Sequence, residues 1–190
     1  MGRIVISENV SLDGVIEDPA GTEGFSRGGW VGRVEDREAV GRAAVDEALG
    51  AEAWLLGRRT YEFFAARWPP RSGALADRLN ALPKYVVSST LEDPEWNNST
   101  VLAGDVVQAV SKLKAELDGE IVVAGSIRLV RTLMESDLVD ELRLMIYPVV
   151  LGAGERLFGE TSDQRPVRLV ETRAVDDLAY LIYEVVREAA

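Results

Sequence analysis

Apolar residues along the chain fall into short continuous runs and longer stretches with a helical repeat. The short runs predict buried strands at Arg3–Ser7, Ala53–Leu56, Lys84–Ser88, Thr100–Ala103 and Glu120–Ala124. Apolar residues spaced three or four apart predict helices at Glu35–Leu49, Thr60–Trp68, Ser72–Leu82, Asp105–Leu117 and after Ser126. Because strands and helices alternate, this part of the chain predicts a largely parallel sheet covered by helices.

The pattern changes after Asp140. Leu142–Val150, Val167–Ala174 and Ala179–Val186 are strand-like, with no strong helix between them, which predicts antiparallel pairing at one sheet edge. The sequence therefore predicts one α/β domain over residues 1–190. It has three layers, a mostly parallel central sheet and antiparallel C-terminal strands.

A glycine-rich segment, Asp13–Gly32, follows the first predicted strand. So long a loop in a compact domain is usually functional or mobile. The next predicted helix carries Val40, Ala44, Val45 and Ala48 on one stripe, which we expect to face the interior.

The composition narrows the chemistry, because the 190 residues include no histidine and no cysteine. This excludes Ser-His-Asp and Cys-His catalysis, disulfides, and metal sites built on cysteine or histidine. Any reaction must rely on carboxylates, Tyr, Lys, Arg, hydroxyls, backbone amides or a bound cofactor.

The formal net charge of −11 argues against a general nucleic-acid binder, which needs a basic surface. Nine of the 21 basic residues lie between Arg27 and Arg78, so an anionic ligand would be tolerated best there, although a solvated mixed-charge surface gives the same count. No apolar run is long enough to span a membrane, and the N-terminus lacks a signal-sequence pattern. We therefore expect a cytoplasmic protein without nucleic-acid or membrane partners.

Two predicted strands run directly into helices through glycine and polar residues. At Gly125-Ser126, the first amides of the following helix could bind a phosphate, although Gly-Ser is also an ordinary cap. At Gly57, Arg58 and Thr60, a guanidinium and a hydroxyl could hold a phosphate, or could be a surface arginine and a cap.

A third predicted strand ends at Ser88-Ser89. Hydroxyls there suit a ribose or its phosphate, and they also suit an ordinary turn. Ligands in open α/β sheets bind beyond the carboxyl ends of the strands. The three polar junctions together therefore predict one nucleotide groove.

An ordered set of motifs covers nearly the whole chain, from Arg3 to Val186. It comprises VSLDG at Val10–Gly14, then LLGRRTYE, KYVVSST, EIVVAGSIRLVRTL, SDLVDELRL and YPVVLGAGERLF. The set resembles the dihydrofolate-reductase-like superfamily. It resembles more closely the group that includes the C-terminal reductase domain of the bifunctional riboflavin-biosynthesis deaminase-reductase.

This resemblance implies an NADPH-binding fold with three segments that contact the cofactor. They are Gly57, Arg58 and Thr60 near its phosphates, Ser88 and Ser89 near the adenosine 2′-phosphate, and Gly125, Ser126 and Ile127 at the pyrophosphate. The end of the first strand and the glycine-rich loop would border the nicotinamide and the substrate. The resemblance also implies a homodimer, to which the apolar run Met145–Leu151 could contribute, although a buried strand explains that run equally well.

Two residues in this region are candidate catalytic groups. Asp13 could hydrogen-bond the substrate or relay a proton, or could simply belong to an Asp-Gly turn. Trp30 could stack on a flat heterocycle or could anchor the loop.

Some positions depart from the pattern of the relatives. Riboflavin-pathway reductases usually follow Asp-Gly with Lys or Arg, which suits a phosphorylated substrate, whereas this chain has Val15. Folate reductases place a carboxylate at the start of the first long helix, for which Glu35 and Asp36 are candidates.

Two functional hypotheses follow. The first is an NADPH-dependent reductase of a pyrimidine-like substrate, such as the phosphoribosylamino-uracil of riboflavin biosynthesis, or of a pterin-like or folate-like one. Hydride transfer suits a chain without histidine, because the cofactor carries the reactive atoms. The second is a non-catalytic nucleotide- or flavin-binding module that retains the fold, which Val15 favours.

Overall fold

The computed structural model describes residues 1–33 and 37–187. The strands are β1 (Arg3–Ser11), β2 (Ala51–Gly57), β3 (Lys84–Val87), β4 (Ser99–Leu102), β5 (Glu120–Ala124), β6 (Glu141–Tyr147), β7 (Val167–Val175) and β8 (Leu178–Val185). The helices are α1 (Arg37–Gly50), α2 (Arg58–Ala65), α3 (Ala74–Ala81), α4 (Val106–Glu116) and α5 (Ile127–Glu135), with a 3₁₀ turn at Trp30–Arg33. Within the described ranges, no helix combines the length and apolar character needed to cross a bilayer.

The eight strands form one sheet in the order β4-β3-β2-β5-β1-β6-β8-β7. Strands β1 to β6 pair in parallel, whereas β8 runs antiparallel to both β6 and β7. This confirms the predicted α/β fold, with a mostly parallel sheet and antiparallel C-terminal strands.

The core lies in two layers, one on each face of the parallel strands. Ile6 of β1 belongs to the apolar cluster that includes Val110 of α4 and Leu133 of α5. Val5, which points to the opposite face, belongs to the cluster that includes Leu79 of α3. Burial on both faces explains why these strands are continuous apolar runs in the sequence.

The predicted elements are all present, and their bounds differ most at β1. The strand does not end at Ser7 but continues to Ser11, because its last residues pair with β6 through Tyr147. Glu8, a charged residue, therefore lies inside a parallel strand. The strand predicted at Leu142–Val150 ends three residues early, at Tyr147.

The apolar stripe predicted for α1 does not pack into the core along its length. Of its four residues only Ala48 is buried, and Ala44 is exposed. Val40 and Ala44 instead line an open cleft. The stripe is real, but it forms the wall of a cavity rather than a helix–sheet contact.

Candidate functional site

An open cleft lies at the carboxyl ends of the parallel strands. Its volume is about 1290 Å³, above the roughly 300–1,000 Å³ of an ordinary small-molecule site, so a dinucleotide and a second small molecule can share it. All eight residues predicted to bind the cofactor line this cleft: Gly57, Arg58, Thr60, Ser88, Ser89, Gly125, Ser126 and Ile127.

The order of the strands divides the cleft into two halves. The β5 half is formed by residues that follow β2, β3, β4 and β5. The β1 half is formed by residues of β1, β6, β8 and α1 and by the loops after β1 and β6. The eight predicted cofactor-binding residues all lie in the β5 half.

The ends of β2 and β5 are joined by one hydroxyl. The Gly57 amide donates to Ser126 Oγ at 2.8 Å, and that hydroxyl donates to the Ala124 carbonyl at 3.3 Å. Ser126 precedes α5 but makes no side-chain bond to cap it, and Gly57 precedes α2 without a side-chain cap. Both helices therefore begin at the cleft without the side-chain cap that usually satisfies the first amides, an arrangement that suits an anion.

Position 125 favours glycine for its backbone conformation and for the space that Thr60 leaves. The φ of Gly125 is +59°, and an added Cβ would lie 3.0 Å from Thr60 Cγ2 and 3.1 Å from Thr60 Oγ1. Ser126 is also left-handed, with a φ of +65°. Two consecutive left-handed residues turn the chain sharply from strand into helix and leave bare backbone at the cleft, where a ligand can approach closely.

Two arginines at the start of α2 carry positive charge into the β5 half. The Arg58 guanidinium lies 3.3 Å from Glu62 Oε1, and Arg59 lies 3.6 Å from a Glu23 carboxylate oxygen. Both arginine side chains are about half exposed or more. Exposed ion pairs contribute little, about 0–1 kcal/mol, so either guanidinium can turn to a ligand phosphate.

Ser88 and Ser89 lie where β3 ends. Ser88 Oγ accepts the amides of Thr90 at 3.1 Å and Leu91 at 2.9 Å, which fixes the turn. A hydroxyl that accepts two bonds can still donate its own proton. Ser89 is exposed at the rim. The serine turn thus supports itself and offers hydroxyl groups to a ligand.

Asp13 does not line the cleft. Its carboxylate accepts the hydroxyl of Ser11 at 2.7 Å and the amides of Leu151 at 3.0 Å and Gly152 at 2.8 Å. The bond from the Leu151 amide, with those from Ser11 and Gly152, lowers the pKa of Asp13 to about 2. The structure therefore makes Asp13 an ionised anchor between the end of β1 and the loop after β6.

Trp30 does not line the cleft either. It is 1% exposed and packs edge-to-face on Tyr147, with ring centroids 5.2 Å apart. Its indole N–H donates to the Glu17 carbonyl at 3.1 Å. With both the ring and the N–H engaged, Trp30 anchors the glycine-rich loop instead of covering a ligand.

Asp18 organises the glycine-rich loop, and the sequence analysis did not single it out. Its buried carboxylate accepts the amides of Thr22, Glu23 and Phe25 at 2.8 to 3.1 Å. Asp18 and Phe25 also line the β1 half of the cleft. The loop is thus an ordered wall, held by one carboxylate.

Glu8 is the main cleft residue that the sequence analysis missed. It is 9% exposed, lines the cleft, and its Oε1 has no hydrogen-bond partner among the described residues. Burial, with a smaller contribution from the charge of Glu47, raises its pKa well above 4.5, although the Gly125 backbone partly offsets this. The available signal was a charged residue next to the apolar run of β1.

Glu47 of α1 lies in the same half. It accepts the Ser7 hydroxyl at 2.7 Å, and its pKa is raised, chiefly because burial disfavours the charged form. Arg143 of β6 is 3.7 Å from Glu47 but is committed elsewhere: its Nε bonds Glu141 at 2.6 Å, and its two terminal nitrogens bond Glu120 at 2.9 and 2.6 Å. Arg143 therefore forms an ion pair with Glu47 but donates no hydrogen bond to it.

Val15, Glu35 and Asp36 are the positions compared with the relatives in the sequence analysis, and the structure describes the first of them. Val15 is fully buried and pairs with Arg156 in an isolated bridge. A side chain at this position points into the core beneath the loop, alongside Trp30 and Tyr147. Glu35 and Asp36 lie outside the described residues.

Comparisons with known proteins agree with this architecture. The family model described as the RibD C-terminal domain matches residues 3–180. The uncharacterized protein YyaP of Bacillus subtilis (strain 168) is 27% identical over 176 residues, covering 90% of this chain and 88% of YyaP. YwjB, also uncharacterized and from the same organism, is 27% identical over 183 residues, covering 95% of this chain and 97% of YwjB.

Solved structures show the same fold. A putative riboflavin biosynthesis protein from Shewanella sp. PV-4 matches with a TM-score of 0.75 at 21% identity, over 97% of this chain and 99% of its own. A pyrimidine reductase-like protein from Corynebacterium diphtheriae matches with a TM-score of 0.67 at 15% identity, over 98% of this chain and 92% of its own. At these identities the likeness concerns the fold.

Proposed function

The chain belongs to the RibD C-terminal domain family, and from this premise we propose that it is an NADPH-dependent reductase of a small heterocyclic substrate, pyrimidine-like or pterin-like. The family is reductase-like, which supports an oxidoreductase. One observation carries the proposal: two helix starts without side-chain caps, an arginine pair and a serine turn converge on one cleft with room for two ligands.

The residues of the β5 half suit a phosphorylated dinucleotide. Bare backbone at Gly57 and Gly125 permits close approach of a pyrophosphate, and guanidinium and hydroxyl groups complement phosphate oxygens. The proposed pyrophosphate-binding residues are Gly57, Thr60, Gly125, Ser126 and Ile127. At the adenosine 2′-phosphate we place Ser88, Ser89 and the half-exposed guanidinium of Arg58.

Held by these residues, NADPH would supply the hydride that reduces the substrate. The protein's own task is to orient the substrate, exclude water and deliver a proton. Asp13 is unsuited to that last role, because a pKa of about 2 leaves it ionised at neutral pH. Glu8 is better suited, since burial raises its pKa and it lines the cleft beside Gly125.

We further propose that the protein acts in the cytoplasm as a homodimer, as the family resemblance implies. Strand β7 is a candidate contact because it is a nine-residue strand at the edge of the sheet and its apolar residues Val167, Leu169 and Val170 are exposed. In contrast, the apolar run Met145–Leu151 is a weaker candidate, because three of its residues are buried within the chain: Met145, Tyr147 and Leu151. Sedimentation equilibrium of the wild type and of Leu169→Lys tests this assignment. We expect the wild type to be a dimer and the substitution at β7 to weaken it.

Titration of the protein with NADPH, followed by nicotinamide fluorescence, tests the proposal first. We expect saturable binding, and its absence would contradict the proposed function. Consumption of NADPH at the nicotinamide absorbance, with the phosphoribosylamino-uracil or dihydrofolate as substrate, then tests turnover. Binding without turnover of any heterocycle would favour the non-catalytic nucleotide-binding module.

A further inference from the structure

The two halves of the cleft carry opposite charge. In the β5 half the charged side chains that line the cleft are Arg58, Arg59 and Arg128. In the β1 half, six carboxylates line the described part of the cleft: Glu8, Glu17, Asp18, Glu23, Glu47 and Glu155. The cleft is therefore suited to anions at one end only.

Among the described residues of the β1 half, Arg143 is the single cation that lines the cleft, and Arg59 of the β5 half reaches its edge, where it is paired with Glu23. All three nitrogens of Arg143 already bond Glu120 and Glu141, both outside the cleft, and the side chain is 13% exposed.

The positive charge of Arg143 is therefore already balanced by two carboxylates, and a phosphate in this half would lie beside the acidic side chains of Glu8 and Glu47. Such a ligand is disfavoured, because an anion removed from water needs a cationic partner, and the other ionisable groups that line this half, such as Glu17 and Asp18, are acidic.

Glu8 supplies an independent sign that a ligand belongs in this half. Its Oε1 is buried and unpartnered among the described residues, although buried polar atoms are nearly always hydrogen-bonded. The side chain lines the cleft rather than a closed cavity, so the missing partner can come from a bound molecule. A carboxyl group complements a ring edge that carries an N–H donor beside an acceptor.

The remaining surface of the β1 half suits a flat ring. Apolar side chains from the loop, α1 and β6 form its sides. They are Ile16, Phe25, Val31, Val40, Ala43 and Met145. Apolar walls around a few polar groups are typical of sites for small heterocycles.

Building on the proposed function, we propose that the β1 half binds a heterocycle that carries no negative charge, with its polar edge hydrogen-bonded to Glu8, and that it rejects phosphorylated or carboxylated rings. The substrate is then an unphosphorylated heterocycle, uncharged or cationic.

Matched ring pairs test the charge preference. With the protein saturated with NADP⁺, calorimetry compares 6-methyluracil with orotate, which has a carboxylate in place of the methyl group, and 5-amino-6-ribosylamino-uracil with its 5′-phosphate. We expect the uncharged member of each pair to bind at least about tenfold more tightly. Equal affinities, the reverse order, or no binding by any of the four compounds would overturn the proposal.

Two substitutions test the contact itself. We expect Glu8→Leu to weaken 6-methyluracil binding at least about tenfold, the loss of one buried hydrogen bond, and Glu8→Gln to stay within about threefold. Both variants should keep the affinity for NADP⁺ and the circular dichroism spectrum of the wild type. Unchanged ring binding by Glu8→Leu would overturn the assignment of Glu8.

The same titrations separate this inference from the proposed function. If NADP⁺ does not bind, the reductase proposal fails, and the ring pairs are titrated against the free protein. If NADP⁺ binds and the anionic rings bind more tightly, the reductase proposal stands and the inference about the β1 half fails.

Discussion

At the scale of single residues, charge and burial separate the groups that can meet a ligand from those that hold the structure. Arg58 is half exposed in a weak pair with Glu62. Asp13 has three hydrogen bonds that bridge two loops. Both are charged residues that follow strands, and only their partners reveal the difference.

Arg58→Ala should weaken NADPH binding about tenfold, because one charge-assisted hydrogen bond to phosphate is worth about 1.5–3 kcal/mol. NADH should lose less, since it lacks the additional phosphate. Fluorescence titration of both cofactors measures the effect. The control is Arg168→Ala, which removes an exposed arginine of β7 that pairs with Glu184 of β8, far along the sheet from β2. Equal losses for NADPH and NADH would count against Arg58 as the reader of the additional phosphate.

Asp13→Asn should reduce the free energy of unfolding at neutral pH while leaving NADPH affinity unchanged. The fold lowers the pKa of Asp13 from 3.8 to about 2. A depressed pKa means that the carboxylate stabilises the fold above the unfolded value, and that this contribution declines as the pH falls from about 4 towards 2. Urea unfolding from pH 7 to pH 3 should thus show a constant difference between variant and wild type above pH 4 and a narrowing one below it. A difference independent of pH would contradict the role of the ionised carboxylate.

At the scale of elements, the β5 half of the cleft depends on contact between two strand–helix junctions. The hydroxyl of Ser126 ties the end of β5 to the Gly57 amide at the end of β2. Gly125 is held against Thr60 of α2. Because β2 and β5 are neighbours in the sheet, motifs that lie about 70 residues apart in the sequence become one binding surface.

Gly125→Ala should abolish NADPH binding and reduce the free energy of unfolding by about 2 kcal/mol. About 1 kcal/mol of that comes from the left-handed backbone and the rest from the contact with Thr60. Gly24→Ala is the matched control, because Gly24 has a φ of +94° but nothing within 4 Å of an added Cβ. It should lose only the backbone part and bind NADPH normally. Equal behaviour of the two variants in calorimetry and in NADPH titration would contradict the steric argument.

At the scale of the whole molecule, a chain with a net charge of −11 would have to attract the proposed anionic cofactor to a few arginines. The long-range field opposes approach, and only the local field in the β5 half favours it. Salt screens the long-range part first, because exposed charges further apart than about 10 Å are screened at 0.1 M ionic strength.

The association rate of NADPH should therefore rise by about threefold or more as ionic strength increases from about 10 to about 200 mM. Over this range the Debye screening length falls from roughly 30 Å to under about 10 Å. Stopped-flow fluorescence measures it. In Arg58→Ala, which lacks part of the local attraction, the rise should be steeper. A rate that falls with salt in the wild type would show that the local field dominates the approach.

The sequence by itself determined the fold class and predicted which residues would meet in the β5 half of the cleft. Parallel strands that are buried on both faces appear in the sequence as continuous apolar runs. The strand-to-helix junctions appear as glycine followed directly by polar residues. Such local patterns can be recognised in one sequence, so Gly57, Ser88 and Gly125 could be identified as candidates without the structure.

The tertiary structure alone decided the other half. Trp30 and Asp13 have the right residue types for a site, but packing on Tyr147 and three hydrogen bonds near Leu151 turn them into anchors. Glu8 became part of the cleft only because β1 runs four residues past Ser7 beside β6. Burial and the neutralisation of Arg143 depend on partners from distant strands, and no local pattern encodes those partners.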